Sequence, residues 1–168
     1  MMKIFYPKEE ISSVYDINYK ELYNKGIRAL IYDIDNTLVK HGAKANEHIV
    51  ELFYIIHNMG FKTILLSNNT KERVESFANE VGSDYIAKAG KPGKKAYVSA
   101  MEKLGSGKED TIFIGDQLFT DIWGAKKAGI TSILLNPIDK KEEIQIVLKR
   151  YLEKIVLNAY EKERKSEG

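Results

Sequence analysis

The stretch "GIRALIYDIDNTLVKHG" (Gly26–Gly42) decides how this chain folds. Its first half, Gly26 to Asp33, is rich in Ile, Leu and Ala with little alternation. That is the pattern of a parallel strand covered on both faces. The run climbs directly into two carboxylates, Asp33 and Asp35, and breaks at Asn36-Thr37. Carboxylates so close to buried strand residues are costly unless a partner compensates them.

Outward from this strand, short apolar runs alternate with helical patterns. Asn46 is a good N-cap for a helix whose stripe is Ile49, Leu52, Phe53 and Ile56, stopped near Gly60. "FKTILLS" (Phe61–Ser67) is a second strand, and Thr70 caps a helix carrying Val74, Phe77, Ala78 and Val81. "DYIAKA" is a short third strand, and Pro92 suits the first turn of a helix with Tyr97, Ala100, Met101 and Leu104 inside. "TIFIGD" (Thr111–Asp116) is the fourth strand, followed by a short helix from about Thr120 to Ala128, and "TSILLNP" is the fifth. The predicted fold class is therefore α/β: a doubly wound, Rossmann-like, parallel five-stranded sheet with helices on both faces. One domain is expected over residues 1–168, with 1–25 a wrapping segment, 26–137 the core and 140–165 a charged C-terminal helix. Leu152 and Ile155 belong to that helix's apolar set, and docking on the sheet is its expected use.

Composition narrows the chemistry. There are 26 basic and 24 acidic side chains, a net charge of +2, so no strong field invites nucleic acid. With no cysteine there is no disulfide, thiolate nucleophile or thiolate zinc site. "MMKIFYPKEE" lacks the apolar core of a signal peptide. No run approaches the ~20 apolar residues of a membrane span. A cytoplasmic protein is expected, with peripheral contact at the inner membrane surface left open, as is oligomerisation.

The polar residues collect where strands end. Strand one ends at Asp33 and Asp35, strand two at Ser67-Asn68-Asn69, strand four at Asp116 with Asp121 shortly after, and Lys91 precedes a helix. In a parallel sheet these groups share one edge, where ligands of such sheets bind. Each alone has an ordinary reading: a turn, an N-cap, a solvated lysine. Together, several carboxylates in one cleft require a cation, and an oxygen-only ligand set favours a hard ion such as Mg²⁺. Lys91 and Ser67, with the N–H groups beyond it at Asn68, suit phosphate oxygens. Asp33 is the natural nucleophile and Asp35 the proton donor and acceptor. Asp116 would hold the metal with Asp33, while Asp121 would support it or orient Lys91.

"DIDNT", "LLSNN", "KPGKKA" and "IGDQLFTD" resemble, in order, the four motifs of the haloacid dehalogenase (HAD) superfamily. "DIDNTLV" and "GDQLFTD" look like subfamily IIIA, in particular the YqeG-like phosphatases. The resemblance implies an Mg²⁺-dependent phosphomonoester hydrolase with an aspartyl-phosphate intermediate. It makes Asp33 nucleophile and metal ligand, and Asp35 acid/base and metal ligand through its carbonyl. Ser67 becomes the phosphate-binding hydroxyl, Lys91 the lysine steadying nucleophile and phosphate, Asp116 the metal ligand and Asp121 its support. Dehalogenating relatives do not keep the acid/base aspartate, so Asp35 favours phosphate chemistry. Only 33 residues separate Asp33 from Ser67 and 23 separate Ser67 from Lys91, too few for a cap domain. An open site suits large or surface-presented phosphates, among them a lipid head group such as phosphatidylglycerophosphate, on which some relatives of this group act. The alternative is a non-catalytic phosphoryl-binding or scaffold module, which would be expected to lose Asp33 or Asp35.

Overall fold

The computed structural model describes residues 9–138 and 144–167. The beginning of the expected wrapping segment, residues 1–8, and of the expected C-terminal helix, residues 140–143, lie outside them. Six strands form one parallel sheet: β1 (Glu9–Ile11), β2 (Ala29–Tyr32), β3 (Lys62–Leu66), β4 (Asp84–Ile86), β5 (Thr111–Gly115) and β6 (Thr131–Leu135). Their order is β1-β6-β5-β2-β3-β4. The sixth strand corrects the five-stranded expectation. Glu9–Ile11 pairs with Ile133–Leu135 at the sheet edge, and three residues are too few to show a period of two in sequence.

Strand order reverses at β2. From it the chain runs outward through β3 and β4 on one side, then returns to β5 and β6 on the other. Crossover helices cover both faces. In β2, Leu30 and Tyr32 point into a core shared with α2 (Glu47–Asn58) and α3 (Lys71–Val81), where Phe53, Ile56, Val74 and Phe77 are buried. Ala29 and Ile31 point the other way, against α4 (Lys94–Leu104) and α5 (Trp123–Lys127), where Tyr97, Met101 and Ala125 are buried. Both faces of the strand are dry, which is why its sequence does not alternate. A further helix, α1 (Tyr19–Asn24), lies within the expected wrapping segment and precedes β2.

The local signals act where the sequence puts them. Asn46 accepts from the Ile49 N–H at 2.9 Å and Thr70 from the Arg73 N–H at 3.4 Å. Gly82 and Gly105 close α3 and α4 in the left-handed conformation, where a Cβ is unfavourable. Pro92 departs from its expected place in the first turn of α4. It precedes the helix, in a turn closed by Gly93 N–H on the Gly90 carbonyl at 2.9 Å. The last helix, α6 (Ile144–Glu167), packs Val156 on Leu118, Ile122 and Leu134. Leu152 and Ile155 stay about half exposed, while Glu153 is buried. Beside Val156 the Glu153 carboxylate faces the core and accepts from the Phe119 N–H at 3.4 Å.

Candidate active site

The reversal at β2 opens a crevice beyond the carboxyl ends of β2, β3 and β5. A cleft of about 360 Å³ lies there, lined by Asp33, Asp35, Ser67, Asn68, Lys91 and Asp121, with His41, Asn69, Gln117 and Thr120 among its other walls. Every site residue named from sequence except Asp116 lines it, and Asp116 is buried beside Asp33.

Asp33 follows β2 directly, its N–H bonded to the Ile114 carbonyl at 3.0 Å. The buried Lys91 Nζ donates to Asp33 Oδ1 at 2.9 Å and to Asp121 Oδ1 at 2.7 Å. Thr37 Oγ1 lies 3.0 Å from Asp116 Oδ1 and 3.4 Å from Asp33 Oδ2, joining the two carboxylates. Asn36, at φ 61°, takes the left-handed conformation that Asn tolerates, and this turns the chain after the acidic pair. Asp121 reaches the site from a π-helical turn, Leu118–Ile122, a local widening frequent at functional sites. Its Oδ2 accepts from the Gln117 N–H at 3.1 Å. The Tyr97 hydroxyl donates to the Thr120 and Asp121 carbonyls at 2.7 and 3.1 Å, fixing the turn from α4.

Burial, then Asp121 and Asp116, push the Asp33 carboxyl well above its ordinary range, and Lys91 only partly opposes them. Burial would lower Lys91, but Asp121 and Asp33 overcome it and hold the ammonium charged. Three buried carboxylates, Asp33, Asp116 and Asp121, each offer an oxygen within 4.8 Å of the others. That buried, all-oxygen cluster fits a hard divalent cation. The Asp35 side chain is not in this cluster.

Asp35 is held apart. Its Oδ1 accepts from the Gly42 N–H at 2.7 Å and Arg73 Nη2 at 2.9 Å, and its Oδ2 from Asn69 Nδ2 at 3.3 Å. Burial alone would raise its carboxyl, but these donors more than offset this and hold it below the ordinary value. Ser67 is buried at the end of β3, its Oγ accepting from the Asn69 N–H at 3.1 Å. Asn68 spends its side chain on the main chain of Lys91: Oδ1 accepts from Lys91 N–H at 2.8 Å and Nδ2 donates to the Lys91 carbonyl at 3.1 Å. It thereby fixes the base of the lysine. The sequence gives Thr37, Asn69, Tyr97 and Arg73 no role in the site. Thr37 stands inside "DIDNT" and Asn69 inside "LLSNN", while Tyr97 and Arg73 carry no motif signal.

Residues 40–129 match the haloacid dehalogenase-like hydrolase family. The chain is 32% identical over 160 residues to the "Probable phosphatase YqeG" of Bacillus subtilis (strain 168), covering 95% of this chain and 93% of that one. Similar solved structures include a protein described as a HAD-superfamily subfamily III A hydrolase from Legionella pneumophila, with TM-score 0.53, 18% identity and coverage of 73% and 76%. Another is 3-deoxy-D-manno-octulosonate 8-phosphate phosphatase from Moraxella catarrhalis, in complex with magnesium ion, phosphate ion and the KDO molecule. There the TM-score is 0.53 at 20% identity, over 72% of this chain and 76% of that one. The chain belongs to the haloacid dehalogenase-like hydrolases. Within them its place is among the phosphatases, beside the YqeG protein.

Proposed function

We propose that the protein is a Mg²⁺-dependent phosphomonoesterase working through an aspartyl-phosphate on Asp33, at a cleft over which the described residues place no cap. The observation that carries this reading is the contact of Lys91 Nζ with both Asp33 and Asp121 at the strand-order reversal. Asp33, Asp116 and the main-chain carbonyl of Asp35 would hold the ion. When bound, Mg²⁺ supplies positive charge to the phosphoryl oxygens and the carboxylates around them.

The protein's own groups account for the rest. Asp33 attacks phosphorus, a P–O bond forms to its carboxylate, and the ester P–O bond breaks. Asp35 gives its proton to the leaving oxygen, then takes one from the water that hydrolyses the phosphoaspartate. The donors around Asp35 favour its carboxylate in the empty cleft. The negative charge of an arriving phosphate raises its proton affinity, so proton uptake accompanies binding. Lys91 keeps Asp33 in place and neutralises phosphoryl charge, and Ser67 with the N–H groups beyond it binds the phosphate. The segment between β2 and β3 holds one loop and α2, and that between β3 and β4 holds a turn and α3, so the cleft is open to large phosphorylated substrates. A lipid head-group phosphate is one such substrate, suggested by the resemblance in sequence.

Purified protein should release phosphate from p-nitrophenyl phosphate with Mg²⁺ and lose that activity in EDTA. Asp33→Asn should lower it at least ~10³-fold. Turnover unaffected by EDTA would remove the metal from the account.

A further inference from the structure

We infer that Arg73 and Asn69 are positioning residues for Asp35, aiming its carboxyl at the leaving group. This rests on the reading of Asp35 as proton donor and acceptor. The geometry is a collar drawn from separate elements: the Gly42 N–H from the loop after β2, Asn69 from the turn after β3 and Arg73 from the first turn of α3. Arg73 is mostly buried, its guanidinium lies 5.5 Å from the Phe77 ring, and its Nε is buried with no protein acceptor. A solvated arginine would bond through all its donors. This one gives up a hydrogen bond in a pose that keeps Nη2 on Asp35. Asn69 is likewise bound at both ends of its amide, Oδ1 accepting from the Thr70 N–H at 2.7 Å while Nδ2 reaches Asp35. The first motif's acid is thus aimed by the second motif's turn and helix. A proton donor displaced by even an ångström loses much of its effect.

The test separates aiming from folding by varying the leaving group. Phenyl phosphate and p-nitrophenyl phosphate differ little in shape, but phenoxide is much the poorer leaving group and needs the proton more. The quantity to compare is kcat/KM, because it ends at the first irreversible step, departure of the phenol, and excludes the later attack of water. In Arg73→Ala, kcat/KM for phenyl phosphate should fall about tenfold more than for p-nitrophenyl phosphate. Asn69→Ala should show the same selective loss, and Arg73→Lys or added guanidinium should restore part of it. Asp35→Asn sets the full size of the selectivity and Asp33→Asn the background. Equal losses on both substrates in the Arg73 and Asn69 variants, with Asp35→Asn still selective, would overturn the positioning role alone. A non-selective Asp35→Asn would overturn the reading beneath it. Should Arg73→Ala fail to fold, Asn69→Ala and Arg73→Lys carry the same comparison.

Discussion

Asp33 sits where a carboxylate is unwelcome. It is buried beside two other acids, with one shared lysine to compensate them. Its pKa is raised in the folded state, so between the unfolded value of about 4 and the folded one the native state holds a proton that the unfolded chain has lost. In metal-free protein this group's contribution therefore falls as pH rises through that window. Asp33→Asn removes the repulsion yet leaves Lys91 paired with Asp121. In EDTA, Asp33→Asn should melt above wild type at neutral pH, with the gap shrinking as pH falls toward 4, in thermal scans across that range. A gap that stays flat with pH would contradict this origin. The gathering of Asp33, Asp35, Ser67 and Asp116 was legible because each follows a strand end, and that of Lys91 and Asp121 because each stands near the start of a helical segment on the same edge. Arg73 was not, since an arginine in a helix's first turn looks like an ordinary surface residue, and Asn69, though at a strand end, has nothing in sequence to tie it to Asp35.

Among the elements, the joint of β5 with the π-helical turn does the most for the site. Gly115 ends β5, and a Cβ there would lie 2.6 Å from Asp121 Oδ2. Only glycine lets Asp121 fold back under the strand end to meet Lys91. Gly115→Ala should cost roughly 1–3 kcal/mol in urea unfolding. It should also lower kcat about tenfold or more by displacing Asp121. Unchanged kcat would mean that the Asp121–Lys91 contact tolerates the shift. The sequence reads this region as a helix from about Thr120. The turn begins earlier, at Leu118, because hydrogen bonds from Asp121 and Ile122 N–H to the Gln117 carbonyl wind the chain back over the site. No hydrophobic period encodes that widening. β1 was illegible for a different reason, its three residues being recruited by the edge of β6.

Across the whole molecule, topology brings residues far apart in sequence into one cleft, and a near-balanced charge leaves recognition to that cleft rather than to a long-range field. Among the described residues no helix is long and apolar enough to cross a membrane. The helix α6 reaches the site indirectly, through Val156 on Leu118 and Ile122 and Glu153 on Phe119. Val156→Asp should destabilise by about 1–3 kcal/mol in urea and weaken activity through the turn that carries Asp121. A variant as stable and active as wild type would show that α6 is dispensable to the site. The central claim is that Asp33 carries the phosphoryl group between the two half-reactions. Rapid quenching of turnover with borohydride reduces a phosphoaspartate to homoserine, which peptide mass spectrometry can locate. The account predicts homoserine at position 33, dependent on substrate and Mg²⁺; undiminished turnover with no trapped product at Asp33, or trapping at another acid, would contradict it.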